Sequence, residues 1–415
     1  MLNFAFQFFE MIKSITLQHF FSFREARPVV LNAETNLLMG VNGTGKSNFI
    51  KAIRLLYESV VGEGMEKLLS EQWGGFGNMV NCSHHDIQEI TLTYEFDKDI
   101  LKKSLNGTAF VFRKNPIYQI RIKKLGGLGD YELAEWFWSE SVKEGTAPFT
   151  FLKVDGAKGI VSERGEDEIR LKRLDAFNPK ELVLSQISDP DRYFPIFTLK
   201  KAISQIVVYD YFDTTFGSPI RQLSSYFSDQ KLLPDGRNLT SLLNFISGNH
   251  VRDYDRIIEE TKKVNDQVRE LVFSNPTAGK TLLSLKEKGL DRTITVEHIS
   301  DGTLRFLLHF VIFYNSNRGS LICIDEPEIG LHPDMINTIA QGIKHAARNG
   351  TQMIIATHSP LLLNAFELED CLVFEKDNTN QTSVVTKSAD DFKNYPGELL
   401  VGQLWLNGKI GGVRW

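Results

Sequence analysis

The spacing of apolar and polar residues predicts strands through the first part of the chain. Residues 12–23 alternate apolar and polar positions, which is the period of a half-buried strand. Residues 47–60 instead place apolar side chains every three or four positions, as an amphipathic helix does. Further β-rich stretches lie between turn residues at 87–96, 118–125, 131–138 and 149–156. These stretches predict an antiparallel meander with one buried face.

The pattern changes after about residue 180, where helical spacing takes over. Residues 252–272 predict one amphipathic helix, which at about three heptads is too short for a coiled-coil arm. The densely charged segment 162–175 before it predicts a solvated connector. The last third alternates the two periods, with strands at 292–299, 320–325 and 352–358 and helices starting at 303 and 334. Such alternation predicts βαβ units and a parallel sheet.

Composition places these elements in an ordinary globular protein. The chain has 415 residues, 42% hydrophobic and 24% charged, enough for one large domain or two. A net charge of −5 shows no overall basic balance for nucleic acid, although a local basic face is compatible with it. Short basic pairs that either line such a face or are simply solvated occur at Arg113-Lys114, Lys123-Lys124, Lys172-Arg173 and Lys200-Lys201.

Cysteine usage and hydropathy bear on location. The three cysteines are widely spaced without a CxxC pattern, which argues against a structural zinc site or a disulfide framework and suits a reducing compartment. No stretch reaches about 18 consecutive apolar residues, the length of a membrane-spanning helix. The apolar residues 1–11 lack a basic n-region and a cleavage site, so we expect an N-terminal extension rather than a signal peptide. A cytoplasmic protein is the expectation.

A glycine-rich loop follows a predicted strand and opens a predicted helix. The sequence 40-GVNGTGKS-47 is a complete GxxxxGK[ST] motif, of which chance gives roughly 0.01–0.02 matches in a chain of this length. Backbone amides of such a loop wrap a phosphate, Lys46 can reach the β- and γ-phosphates, and the Ser47 hydroxyl can ligate Mg²⁺. The predicted nucleotide contacts are Asn42, Gly43, Gly45, Lys46, Ser47 and Asn48.

Two further motifs place polar groups just after buried strands. In 321-LICIDEPEIGLHP-333, four apolar residues lead to Asp325, whose carboxylate can hold Mg²⁺ directly or through water. Glu326 follows and is predicted to orient or deprotonate the attacking water. In 351-TQMIIATHSP-360, His358 ends another buried strand. Neighbouring parallel strands open on one crevice, so we predict that His358 senses the γ-phosphate.

A fourth motif, 299-ISDGTLRFLLHF-310, sets Ser300, Asp301 and Gly302 at the start of an amphipathic helix. Taken alone, Ser300 or Asp301 is an ordinary helix N-cap. A helix N-terminus beside a serine and a glycine is also an anion-binding arrangement, and the position of this motif upstream of Asp325 favours that interpretation.

Together, the GKSNF loop, the Ser-Asp-Gly motif, IDEPEIGLHP and the THSP histidine resemble the ABC-type ATPases of the RecF, SMC and OLD-nuclease branch. The resemblance covers residues 12–60 and 290–375. It implies an α/β fold: an ABC ATPase head with an antiparallel β lobe, a mainly parallel P-loop core sheet and a helical insertion. The implied divisions are an N-terminal extension (1–11), lobe I (12–175), a helical insertion (176–285), lobe II (286–385) and a C-terminal tail (386–415).

The resemblance also implies how ATP and Mg²⁺, the expected cofactors, are used. Ser300, Asp301 and Gly302 would be the signature that contacts the γ-phosphate of an ATP bound by a second copy, so that two chains enclose two ATP molecules. Residues of a D-loop would lie at that interface: Glu328, Gly330, Leu331 and His332. A glutamine that senses Mg²⁺ is expected as well, with Gln186 as the first choice and Gln72 and Gln88 as rivals.

The implied function is an Mg²⁺-dependent ATPase that forms a homodimer or higher oligomer and couples ATP to nucleic-acid sensing or to a separate effector. Anti-phage defence and DNA repair are the expected settings. No carboxylate cluster beyond Asp390-Asp391 follows His358, so a separate nuclease or other effector protein, encoded nearby, is expected rather than a built-in nuclease. The tail, with Trp405, Arg414 and Trp415, either docks a partner or packs on its own domain.

Two alternative functions stay open. One is the cytoplasmic motor of an ABC transporter, which the missing LSGGQ motif disfavours, and the other is a non-hydrolysing nucleotide-gated scaffold.

Overall fold

The computed structural model describes residues 11–83, 86–103, 112–126, 130–164, 169–175, 177–225, 230–393 and 400–411. Its residues fall into two compact units. The unit that we call the P-loop unit holds the described residues of 7–207, with 372–386 and Gly411. The signature unit holds 208–371 and the described residues of 387–410. Residues 1–10 of the expected extension, and Arg414 and Trp415 of the tail, lie outside the described residues.

The strands are, in chain order, β1 (Ile12–Gln18), β2 (Arg27–Val30), β3 (Thr35–Met39), β4 (Glu89–Phe96), β5 (Pro116–Lys124), β6 (Tyr131–Ser139), β7 (Phe149–Asp155), β8 (Lys158–Arg164), β9 (Ile169–Asp175), β10 (Ile206–Tyr209), β11 (Ser224–Ser225), β12 (Val268–Thr277), β13 (Lys280–Glu287), β14 (Ile294–Thr295), β15 (Leu321–Asp325), β16 (Gln352–Ala356), β17 (Cys371–Lys376) and β18 (Thr382–Thr386).

The α-helices are α1 (Lys46–Val60), α2 (Met65–Lys67), α3 (Phe76–Met79), α4 (Lys98–Lys103), α5 (Val183–Gln186), α6 (Phe194–Ile203), α7 (Leu239–Asn249), α8 (Val251–Val264), α9 (Asp301–Tyr314), α10 (Ile336–Arg348), α11 (Pro360–Leu363) and α12 (Val401–Leu406). A π-helical turn (Leu68–Gln72) follows α2, and 3₁₀ turns lie at Pro219–Arg221, Pro333–Met335, Leu368–Asp370 and Ala389–Phe392. None of the helices in the described ranges is both long and apolar enough to cross a bilayer.

The P-loop unit is built around an eight-stranded antiparallel sheet in the order β2-β1-β4-β5-β6-β7-β8-β9. In β4, buried and partly exposed residues alternate without exception, and Ile90, Leu92, Tyr94 and Phe96 all point to one buried face. This period of two leaves the other face polar, as expected for an antiparallel sheet covered on one side. The predicted meander is confirmed. In the same unit, β3, β17 and β18 are neighbours in that order.

The signature unit contains the parallel pair β15 and β16, in register from Leu321 opposite Gln352 to Asp325 opposite Ala356. Both strands are almost wholly buried, which suits parallel strands covered on two faces. Helix α9 is buried along its length from Thr303 to Tyr314, so only its first residues reach solvent. A small antiparallel sheet in the order β11-β13-β12, with β14 beside β13, completes the unit.

The predicted helix over 252–272 is wrong in its second half. Helix α8 ends at Val264, and residues from Val268 form β12, which pairs with β13 through Leu271 opposite Leu285 and Phe273 opposite Leu283. The intervening Asn265 adopts an extended conformation that ends the helix. Local spacing did not show this because residues 268–273 pair with a strand that follows later in the chain.

Two smaller predictions are also corrected. The charged segment 162–175 is not a connector, because its described residues form the ends of β8 and the whole of β9, paired from Lys158 opposite Asp175 to Arg164 opposite Ile169. Residues 165–168 between them lie outside the described residues. The strand predicted at 292–299 shrinks to Ile294–Thr295, because the residues after it turn towards the start of α9.

Candidate functional site

The P-loop of the P-loop unit has the backbone of a phosphate cradle. β3 ends at Met39 and α1 begins at Lys46, and Gly40 and Gly45 between them have φ angles of 150° and 108°. A Cβ on Gly40 would lie 2.3 Å from the Phe374 carbonyl oxygen, so no other residue fits there. The amides of the first turn of α1, a 15-residue helix, face this loop and carry the positive end of its dipole. This arrangement fits a bound phosphate.

The side chains of the loop divide by exposure. Lys46 is buried, and its Nζ donates to the carbonyl oxygens of Gly40 at 2.9 Å and Val41 at 3.3 Å. Asn42 and Ser47 are exposed at the mouth of the loop. The ammonium group is therefore held against the rim of the cradle, where phosphate oxygens can replace the carbonyl acceptors.

A chain of hydroxyls braces the loop from behind. The Thr382 hydroxyl lies 2.7 Å from both the Thr44 carbonyl oxygen and the Ser22 hydroxyl, and the Asn48 amide donates to Ser22 Oγ at 3.0 Å. Because a threonine has one proton to donate, Thr382 donates to Thr44 and accepts from Ser22. A Cβ on Gly45 would strike both hydroxyls, at 2.4 and 2.7 Å. Asn48 thus helps to hold the loop, and its contact with a nucleotide stays a prediction.

In the signature unit, the edge where β15 and β16 end carries the predicted acid and base residues. Asp325 is the last residue of β15, and Glu326 follows it with φ at 52°, in the left-handed region that non-glycine residues avoid. The Glu326 amide donates to the Ala356 carbonyl oxygen at 2.8 Å, which fixes this conformation. Strain of about 1–3 kcal/mol of this kind is found where a side chain must point in one direction for function.

The same edge brings Glu326 and His358 together. His358 Nε2 and Glu326 Oε1 are 3.4 Å apart. Oε1 of the Glu328 carboxylate accepts hydrogen bonds from the Thr357 hydroxyl at 2.6 Å and from the His358 amide at 2.9 Å. Burial raises the pKa of Glu328, and among the described residues no group pairs with its buried Oε2 atom. Glu328 therefore orients the turn that presents His358.

The predicted signature residues lie at the exposed N-terminus of α9. Ser300 is the N-cap: its Oγ accepts from the Thr303 amide at 3.3 Å and lies 2.8 Å from the Thr303 hydroxyl. Asp301 and Gly302 form the first turn. The 14-residue helix behind them is buried, so its positive N-terminal end is the part that meets solvent. Both interpretations of this motif, cap and anion site, fit the geometry.

The predicted D-loop follows Glu326 as two tight turns, with the Ile329 amide bonded to the Glu326 carbonyl and the Leu331 amide to the Glu328 carbonyl, both at 3.1 Å. Gly330, at φ 75°, is exposed at the tip. His332 is exposed and caps the following 3₁₀ turn through Nδ1. Gly330 and His332 therefore form the exposed part of this segment of the signature unit.

Gln186 belongs to the P-loop unit, at the end of α5. Its side-chain oxygen accepts from the Asn178 amide at 3.0 Å, and its nitrogen donates to the carbonyl oxygens of Asn178 and Glu181 at 3.2 and 3.1 Å. The amide thus closes the turn over 178–186. Of the rivals, Gln72 ends the π-helical turn, and Gln88 precedes β4 with its amide towards the Asp86 carbonyl. Which glutamine senses Mg²⁺ stays a prediction.

The residues suited to Mg²⁺ are few. In the described part of the chain, no group of three or more His, Cys, Asp or Glu side chains is arranged to hold a metal. Carboxylates and hydroxyls are ligand types that proteins offer to Mg²⁺, whose other ligands are water and substrate phosphates. Asp325 of the signature unit and Ser47 of the P-loop unit are each of a suitable type, and their joint binding of Mg²⁺ stays a prediction.

Sequence comparison identifies the family. Residues 36–364 match the AAA_21 family, described as "AAA domain, putative AbiEii toxin, Type IV TA system". The chain belongs to this family. A curated relative, the Old nuclease of Escherichia phage P2, is 24% identical over 374 residues, covering 82% of this chain and 55% of the relative. The chain thus spans about half the length of the curated relative that it matches.

Solved structures show the same fold. An Smc head bound to the C-terminal winged-helix domain of ScpA superposes with a TM-score of 0.56 at 13% identity, covering 92% of this AAA_21 chain and 99% of the other. The Smc head of Pyrococcus furiosus with an extended coiled coil, bound to the C-terminal domain of ScpA, gives 0.54 at 11% identity, covering 92% and 97%. The AAA_21 chain therefore has the fold of the Smc heads, and both the predicted fold class and the predicted resemblance to ABC-type ATPases of the RecF/SMC/OLD branch are confirmed.

Three residues that the structure makes prominent had no signal in the sequence. Ser22 and Thr382 brace the P-loop, and Arg221 contacts the signature turn. Each is a single residue of a common type outside any motif, and Thr382 is 338 positions from the loop that it supports. Only a map of spatial contacts could have found them.

Proposed function

We propose that the AAA_21 chain binds ATP with Mg²⁺, hydrolyses it to ADP and phosphate, and pairs with a second copy of itself while ATP is bound. The observation that carries this proposal is the Glu326 carboxylate, held in a left-handed backbone conformation 3.4 Å from the His358 imidazole. A carboxylate fixed in this way after a strand that ends in Asp325 suits a general base for water.

Each predicted residue then has a defined role. The amides of the P-loop and Lys46 bind the phosphates, and Ser47 and Asp325 hold Mg²⁺, which stabilises the charge that develops on the phosphates. Glu326 takes the proton of the attacking water, and His358, held by Glu328, hydrogen-bonds the γ-phosphate. Ser300 and the N-terminus of α9 contribute to the site of the second copy, and Gly330 and its neighbours line the same interface.

Two substitutions test this chemistry. Lys46→Ala is expected to abolish ATP binding, measured by calorimetry, because the cradle loses its only lysine. Glu326→Gln is expected to keep ATP binding but lower the steady-state hydrolysis rate by about 100-fold or more, as removal of a general base does. The matched control is Glu259→Gln, an exposed carboxylate on α8 whose loss should leave the rate unchanged.

Light scattering after gel filtration tests dimerisation. With ATP, the Glu326→Gln chain is expected to shift from 47.2 kDa to twice that mass, because the stalled site keeps ATP as the link between copies. A Glu326→Gln chain that hydrolyses ATP at the wild-type rate would contradict the assignment of the base. A wild-type chain that binds ATP without turnover would instead support the non-hydrolysing scaffold, and co-purification with a membrane subunit would support the transporter motor.

We further propose that ATP-driven pairing controls a separate effector or senses nucleic acid, in defence against phage or in DNA repair. The support is the family description, which names a toxin system, and the phage nuclease among the relatives. Of the short basic groups, Lys123 is paired with Asp155 and Lys172 lies 3.9 Å from Glu163, so these cations are partly neutralised. Effector control is therefore the arm that we favour.

Two experiments distinguish nucleic-acid sensing from control of a separate effector. Direct nucleic-acid binding must weaken steeply as salt rises, because phosphate contacts release counterions. A fluorescent duplex titrated at 50 and 200 mM salt, with and without ATP, reports this. An undetectable or salt-independent interaction removes the nucleic-acid arm and leaves the ATPase intact. Co-purification of a neighbouring gene product, gained or lost on addition of ATP to the Glu326→Gln chain, tests the effector arm.

A further inference from the structure

One buried arginine holds the signature turn from beneath. Arg221 ends the 3₁₀ turn of the loop that joins β10 to β11, and its side chain is 6% exposed. Its Nη1 donates to the carbonyl oxygens of Val296, Glu297 and Ile299, at 3.0, 2.9 and 2.7 Å. These carbonyls belong to the segment that leads into α9. A planar guanidinium with fixed donor directions is well suited to hold several acceptors at once.

The other edge of the same guanidinium reaches the signature itself. Arg221 Nη2 forms a charge-assisted hydrogen bond with the Asp301 carboxylate, the first residue of α9. Because Nη1 holds the Ile299 carbonyl, the residues on both sides of Ser300 are bound to one side chain. Arg221 thereby holds the backbone on one side of Ser300 and the Asp301 side chain on the other.

The loop that carries Arg221 is itself fixed. Arg221 Nε donates to the Thr214 carbonyl at 2.7 Å, and the Arg221 amide donates to the Ser218 carbonyl at 3.0 Å. The Asp213 carboxylate accepts from the amide and hydroxyl of Thr215, at 2.9 and 2.6 Å, which lowers the pKa of Asp213. A guanidinium on such a loop is a stable reference point for the signature turn.

The contact between Arg221 and Asp301 changes the charge at the start of α9. A γ-phosphate approaching the N-terminus of α9 meets the positive end of the helix dipole, but it also meets Asp301, whose side chain is 64% exposed. Like charges placed together at an interface repel each other and weaken binding. The ion pair with Arg221 places a positive charge against the Asp301 carboxylate and so reduces the repulsion that a phosphate would meet there.

We propose that Arg221 is a positioning residue for the signature: it orients Ser300 and neutralises Asp301 so that α9 accepts the γ-phosphate of ATP held by a second copy. The inference rests on the proposed function. In this proposal Asp301 does not contact the phosphate, and its negative charge is balanced by Arg221.

Removal and restoration of the charge test the proposal. Arg221→Gln is expected to lower kcat for ATP by about 10- to 100-fold, the loss that follows from hydrogen bonds to a charged group. Arg221→Lys keeps the charge without the planar donors and should lose less. The decisive variant is the double change Arg221→Gln with Asp301→Asn, which is expected to recover about tenfold over Arg221→Gln because the unpaired carboxylate is gone.

Controls separate positioning from folding. ATP binding to the single chain, measured by calorimetry, should be unchanged in all these variants, and Arg237→Lys, an exposed arginine beside Asp235, should match wild type in both assays. A mixture of Arg221→Lys and Lys46→Ala chains should regain activity, because one mixed site then combines an intact P-loop with an intact signature. A mixture of Arg221→Lys and Ser300→Arg chains should not.

The outcomes are distinct. A wild-type chain without ATP turnover would overturn the proposed function itself. With an active wild type, three results would each overturn the role of Arg221: wild-type kcat in Arg221→Gln, a double variant no better than Arg221→Gln, or equal losses of ATP binding and kcat. If Arg221→Gln does not fold, Arg221→Lys alone and with Asp301→Asn is measured, and a kcat insensitive to both changes overturns the proposal.

Discussion

The Glu135 carboxylate makes the stability of the P-loop unit depend on pH. Glu135 lies on β6 and is 3% exposed. It accepts hydrogen bonds from the Tyr118 hydroxyl at 2.7 Å, from the Leu184 amide at 3.3 Å and from the Val183 amide. Burial raises the pKa of Glu135 to about 7, although these three hydrogen bonds lower it in part. The carboxyl group links the eight-stranded sheet to the start of α5.

The sign and size of the effect follow from this pKa. Between the unfolded value of 4.5 and the folded value of about 7, the folded chain keeps the proton and the unfolded chain has lost it. Stability is therefore greatest below pH 4.5 as far as this group is concerned, falls as pH rises towards 7, and is level above it. At about 1.4 kcal/mol per pKa unit, the total change is about 3 kcal/mol.

Urea unfolding of wild type and of Glu135→Gln, from pH 5 to pH 8, measures this term. Glutamine does not titrate, so the difference in unfolding free energy between the two chains isolates Glu135 while other groups cancel. Wild type is expected to lose stability relative to Glu135→Gln by about 2–3 kcal/mol across this range. Glu132→Gln, on the same strand and less buried, is the control and should show no such trend. A difference that is flat from pH 5 to pH 8 would refute the argument.

Two further predictions concern the supports of the site. Thr382→Val removes the hydroxyl that joins Thr44 to Ser22. We expect it to weaken ATP binding by about 5- to 10-fold in calorimetry, and Ser22→Ala to act in the same direction. Unchanged ATP affinity in both variants would show that these hydrogen bonds are dispensable. Glu328→Ala leaves the His358 amide without its acceptor. Single-turnover ATP hydrolysis should then slow by about tenfold while ATP affinity is kept. A variant that loses only ATP affinity would contradict the role of Glu328 in orienting His358.

The elements that are periodic over many residues could be predicted from the sequence. The strands of the meander, α1 and the strand that ends in Asp325 all carry their own signal, since burial on one face fixes the order of apolar residues. The motif residues could be singled out as candidates because phosphate and Mg²⁺ chemistry restrict residue types at fixed spacing. The adjacency of Glu326 and His358 followed from the rule that parallel strands end at one edge.

Other features depend on partners far away in the chain. Residues 268–273 look helical by spacing and become a strand because β13 pairs with them. The hydrogen bond that Asn48 donates to Ser22, 26 residues earlier, has no signal in the motif that contains Asn48. The contact of Arg221 with Asp301 spans 80 positions. Nothing local distinguishes such residues from ordinary surface polar groups.

The charge on β9 has a consequence for solubility. β9 is the last strand of the eight-stranded sheet within the described residues, so its outer edge offers unpaired backbone groups. Edges of this kind recruit strands from other molecules unless charged side chains discourage them. Lys172 and Arg173 are exposed at the centre of β9, beside the exposed Leu171. Lys172 and Arg173 thus hinder strand pairing at the open edge of the sheet. A variant with valine at both positions would be more prone to aggregate through this edge.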